Sequence, residues 1–147
     1  MKEYLSHSPE ETMRFAAEIC KKIPSGSLVL FTGDLGAGKT AFVHGALSAY
    51  GNTSHVSSPT FALVNDYGGT PHIYHFDMYR IQDLDDLYST GFFDYLDENS
   101  ILFVEWSENI RDIAETTGAN NIFYIDIEKT DEDTVRIIRV RGGEYGC

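Results

Sequence analysis

"VLFTGDLGAGKTAF", residues 29–42, sets three glycines and a lysine between a strand-like apolar run and a helix-like one. Inside it, Gly33-Asp34-Leu35-Gly36-Ala37-Gly38-Lys39-Thr40 fits the spacing G-x-x-x-x-G-K-[ST] in full. Each part has a physical task. The glycines let the backbone bend so that successive N–H groups point inward at phosphate oxygens. The helix that follows adds free N–H groups and the positive end of its dipole. Lys39 is placed for the β- and γ-phosphates, and the Thr40 hydroxyl for Mg²⁺. The pattern arises by chance in about one chain in several hundred of this size. Here it also falls where a strand gives way to a helix, which a mere Gly-rich turn does not require.

Working outward, Ser8-Pro9-Glu10-Glu11 reads as a helix start, with Ser as N-cap, Pro at the first helical position and Glu three residues after the cap. The spacing predicts a helix to about Lys22, with Phe15, Ala16, Ile19 and Ile23 on one face. "LVLFT", 28–32, is a continuous apolar run, as in a strand buried on both faces. Residues 40–50 carry Phe42, Val43, Ala46, Leu47 and Tyr50 at helical spacing, stopped by Gly51. "FALVNDY" (61–67) and "HIYHFDMY" (72–79), joined by Gly68-Gly69-Thr70-Pro71, read as a hairpin. Residues 83–98 look helical but broken at Gly91, "ILFVEW" (101–106) is a second buried strand, and 107–116 a short helix. "NIFYIDIE" (121–128) and "TVRIIRV" (134–140) supply two last strands across an acidic turn. Helices and buried strands interleave, so the expected class is α/β, with a central mostly parallel sheet and an antiparallel hairpin portion. The whole of 1–147 is expected to be one domain.

A phosphate cradle needs a second acid at the end of a neighbouring strand to hold the metal. Glu105 follows a buried β-rich run and fills that position, where Asp is the more usual residue. Thr60, in "SSPTF" (57–61), lies after the cradle helix, where nucleotide switches place a γ-phosphate-sensing Thr. An ordinary Ser-Pro turn explains the same letters. In "HFDMYR" (75–80), His75, Asp77 and Tyr79 share one face of an extended strand, opposite Phe76 and Met78. Three polar groups on one side are costly unless exposed or used. Asp77 is suited to orient water or the metal's surroundings, with His75 and Tyr79 holding it. His72 and His75, three apart on a strand, face opposite ways, which argues against a transition-metal site. Arg136, Arg139 and Arg141 cluster in the last strand, where guarding an exposed edge is the plainest reading, beside contact with nucleotide or partner. No N-K-x-D segment of the GTP-binding kind occurs, which leaves ATP as the default.

Of 147 residues, 42% are apolar, with nine Tyr and nine Phe, a globular composition. No run of about 18 apolar residues occurs and the first residues lack a signal-peptide core, so no membrane association and a cytoplasmic location are expected. Two cysteines, Cys20 and Cys147, make neither a disulfide framework nor a metal spacing. The net charge of −12 falls entirely on residues 61–147, which carry six basic and eighteen acidic side chains, whereas 1–60 carry five of each. Such a surface repels bare nucleic acid, whose binding relies on Lys and Arg. In a nucleic-acid pathway the chain would therefore act through a protein partner; keeping the protein soluble is the plainer use of the charge.

"GDLGAGKT", "SSPTFALVNDY…HFDMYR" and "FVEW", in that order, resemble the TsaE (YjeE) family, the small bacterial ATPases of tRNA N6-threonylcarbamoyladenosine (t6A) synthesis. The cradle alone is shared by a vast superfamily; the other segments are far more specific. The resemblance implies a three-layer P-loop NTPase-like domain that binds ATP and Mg²⁺. It implies that Gly36, Ala37, Gly38, Lys39, Thr40 and Ala41 hold the phosphates, after Gly33 opens the loop. Thr40 and Glu105 match metal-site positions, Asp77 a position important for hydrolysis, and Thr60 a switch-like loop; Glu at 105 then ceases to be a departure. A residue near Pro9 would lie close to the adenine. The family's ATPase is weak alone and works with the TsaB–TsaD pair, which transfers threonylcarbamoyl to adenosine 37 of tRNAs reading ANN codons, so tRNA would be met only indirectly. Two alternatives compete. A small-molecule kinase would need an arginine-bearing lid, and only Arg80 and Arg111 are basic between residues 40 and 128. A docking switch would bind ATP without significant turnover.

Overall fold

Four strands form the parallel heart of one seven-stranded sheet, described here from a computed structural model over residues 1–33, 38–52, 64–77, 84–89, 91–105 and 121–145. The strands are β1 (Lys2–Ser6), β2 (Ser27–Gly33), β3 (Val64–Gly68), β4 (His72–Asp77), β5 (Ser100–Glu105), β6 (Asn121–Lys129) and β7 (Arg136–Arg141). They lie in the order β1-β7-β6-β2-β5-β4-β3. β2 pairs in parallel with β5 and β6, and β4 in parallel with β5; β3 on β4, β7 on β6 and β1 on β7 are antiparallel. Only β3 and β7 therefore run against the common direction, as expected of a mainly parallel sheet with a hairpin portion.

Residues alternate between two faces of this sheet. Val29, Phe31, Ile101, Phe103, Ile125 and Ile127 point to the face that carries α1 (Pro9–Cys20) and α2 (Lys39–Ala49). Leu28, Leu30, Phe76, Leu102 and Val104 point to the other, where Phe92 is packed. α1 starts as its letters require: the Ser8 hydroxyl accepts from the Glu11 N–H at 3.0 Å, and Pro9 follows at the first position. α2 buries Phe42, Val43, Ala46 and Leu47. It also brings Gly45 so near α1 that an added Cβ would stand 2.1 Å from the Met13 carbonyl oxygen. The broken helix of 83–98 is α3 (Leu84–Ser89) and a 3₁₀ turn (Phe92–Tyr95), with Gly91 at φ 76° between them. The expected helix at 107–116 lies outside the described residues.

β1 was not legible beforehand. "KEYLS" is short and mostly polar, and only its pairing with β7 makes it a strand. It corrects the reading of the three arginines. β7 is not an edge strand, because β1 covers it, so Arg136, Arg139 and Arg141 guard no open edge. Ser6 and Thr12, both buried, close β1 onto α1 through a 2.7 Å hydroxyl–hydroxyl bond. The Met1 ammonium reaches the Tyr145 carbonyl at 2.6 Å, and the Tyr145 hydroxyl donates to the Ile19 carbonyl at 3.0 Å. No described helix is long and apolar enough to cross a membrane.

Candidate functional site

β2 ends at Gly33 with φ 124°, and a Cβ there would lie 2.0 Å from the Ile127 carbonyl oxygen of β6. Glycine is thus required twice over, by the backbone angle and by the neighbouring strand. Residues 34–37, which include Gly36 and Ala37, lie outside the described set, as do Thr60, Tyr79 and Trp106. The chain re-enters at Gly38, the N-cap of α2, in the left-handed region at φ 109° and with no side chain capping the helix. Gly38 has no side chain to cap the first N–H groups of α2, which suits an anion site. Lys39, Thr40 and Ala41 form its first turn, with Lys39 half-buried and Thr40 exposed.

Two carboxylates stand at the same end of the sheet. Glu105 ends β5 beside Phe31 of β2, and Asp77 ends β4 beside Glu105. Register partners share a face, so both lie on the side that carries α2. The Phe31 ring, edge-on to Phe42 of α2 at 5.2 Å and stacked on Phe103 at 5.8 Å, fixes that side. Glu105 is 17% exposed and reaches out from the core. Next to it His75, in register with Phe103, is fully buried. His75 is set against Glu105, with Nε2 3.5 Å from Oε2. His72, on the opposite face, pairs with Asp66 on the hairpin surface. Among the described residues no three His, Cys, Asp or Glu side chains gather as a transition-metal site would need. Thr40 and Glu105 offer the hard oxygen donors that suit Mg²⁺, which keeps several waters and takes few protein ligands.

A cleft of about 190 Å³ opens next to Gly38 and Ala41. Its other walls are Ser8, Pro9 and Thr12 at the start of α1, Asp133 and Thr134 of the β6–β7 turn, and Arg136, which opens β7. The sequence pointed to Pro9. The acidic turn itself was legible, but not its arrival at this cleft, which follows because β6 runs parallel to β2 and continues past Gly33. A larger hollow of about 270 Å³ lies on the opposite face, away from the cradle helix, lined by Thr32, Tyr124 and Asp126 among others. There Arg139 is committed to carboxylates: Glu128 at 2.6 Å, Glu3 at 3.1 Å and Asp126 at 3.2 Å. Arg141 lies over the Tyr124 ring at 4.3 Å. Of the three arginines, Arg136 alone borders the cleft at Gly38.

The chain is similar to known proteins in sequence and in fold. The family described as "Threonylcarbamoyl adenosine biosynthesis protein TsaE" matches residues 6–138. The Haemophilus influenzae protein named tRNA threonylcarbamoyladenosine biosynthesis protein TsaE is 38% identical over 135 residues, covering 86% of this chain and 85% of that one. The Bacillus subtilis protein of the same name is 35% identical over 106 residues, 71% of this chain and 66% of that one. The crystal structure of Bacillus subtilis YdiB superposes with a TM-score of 0.63 at 28% identity, covering 98% of this chain and 88% of that one. This chain belongs to the TsaE family.

Proposed function

We propose that this chain is a weak Mg²⁺-dependent ATPase of tRNA threonylcarbamoyladenosine synthesis, stimulated by TsaB and TsaD partners. One observation carries the reading: Glu105 and Asp77 end adjacent parallel strands, beside the strand that feeds the cradle helix and on the face that this helix covers. The names of the relatives supply the pathway.

In this reading the N–H groups from Gly38 to Ala41 and the Lys39 ammonium hold the phosphates, with Gly33, Gly36 and Ala37 shaping the loop. Thr40 and Glu105 hold Mg²⁺, which when bound neutralises charge on the β- and γ-oxygens. Asp77 orients the attacking water, and Thr60 senses the γ-phosphate. The nucleobase takes the cleft walled by Pro9 and Arg136. The excess of acidic side chains after residue 60 favours docking to proteins over direct contact with tRNA.

The test is ATP turnover by the full chain, with and without the TsaB–TsaD pair and tRNA. Turnover is expected to be slow alone and to rise with the partners. Lys39→Ala should abolish ATP binding. Glu105→Ala and Asp77→Ala should leave binding measurable and remove hydrolysis. Undiminished hydrolysis in both of the latter would refute the assigned roles. ATP bound with turnover that never rises would make the chain a docking switch.

A further inference from the structure

We propose that His75, its ring set by Tyr67, is the positioning residue that orients the Glu105 carboxylate for the metal-bound nucleotide; this rests on the function proposed above. His75 is 0% exposed, yet its Nε2 has no hydrogen-bond partner among the described residues. A buried ring nitrogen without a partner is costly, and native structures rarely keep one without a use. The Glu105 carboxylate faces it, with Oε2 at 3.5 Å. A shift of a few tenths of an ångström would bring that contact into the usual hydrogen-bond range.

The other ring nitrogen decides which hydrogen His75 offers. Its Nδ1 faces the Tyr67 hydroxyl at 3.4 Å, and the two rings are stacked with centroids 6.3 Å apart. The Asn65 amide donates toward the same hydroxyl oxygen, also at 3.4 Å. The polarity is then consistent along the chain of groups: Asn65 donates to Tyr67, Tyr67 to His75 Nδ1, and His75 Nε2–H to Glu105. The opposite tautomer would set an imidazole lone pair against a carboxylate oxygen, which is repulsive. β3 and β4 thereby supply a partly buried strut behind a residue of β5, and the strut sets the direction in which that carboxylate reaches out. Groups in this position behind a ligand change metal affinity by about 10–100-fold when removed.

The experiment measures AMP-PNP affinity by calorimetry on the full chain, once in EDTA and once in Mg²⁺, alongside thermal melts. For His75→Leu, which keeps bulk and removes the N–H, affinity in EDTA should match wild type. The tightening produced by Mg²⁺ should fall by about tenfold. His75→Gln, whose amide reaches the Nε2 position, should recover most of it, and Tyr67→Phe should show a smaller loss in the same direction. Full Mg²⁺ tightening in His75→Leu, an equal fall in EDTA and in Mg²⁺, or no recovery in His75→Gln would each overturn the inference. If His75→Leu does not fold, Tyr67→Phe decides by the same criterion. A wild-type chain that binds no AMP-PNP, or gains nothing from Mg²⁺, would instead sink the proposed function, and the inference with it.

Discussion

Gly45→Ala pits a local effect against a tertiary one. Alanine is the better helix former by about 1 kcal/mol, so at a free helical position the change would stabilise α2. In the folded chain the new Cβ would stand 2.1 Å from the Met13 carbonyl oxygen and 2.7 Å from the Met13 Cα. A carbon–oxygen contact needs about 3.3 Å, so α1 and α2 must separate by about 1.2 Å. Forcing a methyl into a packed contact costs about 1–3 kcal/mol. A gap near 1 Å also forfeits up to about half of the dispersion energy of each contact along the seam. Ala16, Ile19, Phe42, Val43 and Ala46 belong to the core that the two helices share. Steric cost and lost packing together outweigh the propensity gain, and a net loss of about 2 kcal/mol follows. For a domain of this size that lowers Tm by about 4–8 °C. Calorimetric melting without nucleotide measures it, with Ser48→Ala on the exposed side of α2 as the control for propensity alone. Both helices wall the cleft at Gly38, so nucleotide affinity should fall in parallel. A Tm equal to or above wild type would refute the reasoning, because it would mean that the helices do not approach so closely.

Ser8→Ala removes the cap on α1, whose hydroxyl accepts from Glu11 N–H; it should cost about 1 kcal/mol and about 2–4 °C in the same melts. Burial pushes the Cys20 thiol up from 9.0 to about 12. In Cys147→Ser, labelling by Ellman's reagent at pH 8 should therefore be slow and should accelerate only with denaturant; immediate stoichiometric labelling would contradict the burial. The raised value also has a thermodynamic sign: above pH 9 the native thiol keeps a proton that the unfolded chain has lost, so stability falls as pH rises from 9 towards 12. Tyr50 and Tyr145, raised chiefly by burial, add to that fall, which melts across the alkaline range would record.

Local features were legible in the letters. The end of β2 at Gly33 and the start of α2 at Lys39, the capped start at Ser8, the break at Gly91 and the apolar runs of β2 and β5 each depend on residues within a few positions of one another. Spacing also placed His75 and Asp77 on one strand face. It could not say that Glu105 would stand on the same side of the next strand, because a one-residue change of register would have reversed it. "KEYLS" carries little strand signal of its own, and β7 alone makes it one.

The sequence by itself determined that a phosphate-loop spacing sits between a strand and a helix, which class of sheet carries it, and, by resemblance, the family. Those properties lie in consecutive residues and in periodicity, both of which can be read along one dimension. Only the tertiary structure decided that Arg136 and Gly38 line one cleft, that Arg139 is taken up by three carboxylates, and that His75 stands against Glu105. Gly45 makes the reason plain. In the sequence it is a residue that weakens a helix. In the fold it is the point where one backbone must pass another, and the partner, Met13, stands 32 positions earlier. Which distant groups meet depends on strand order and register, and no local spacing carries that information.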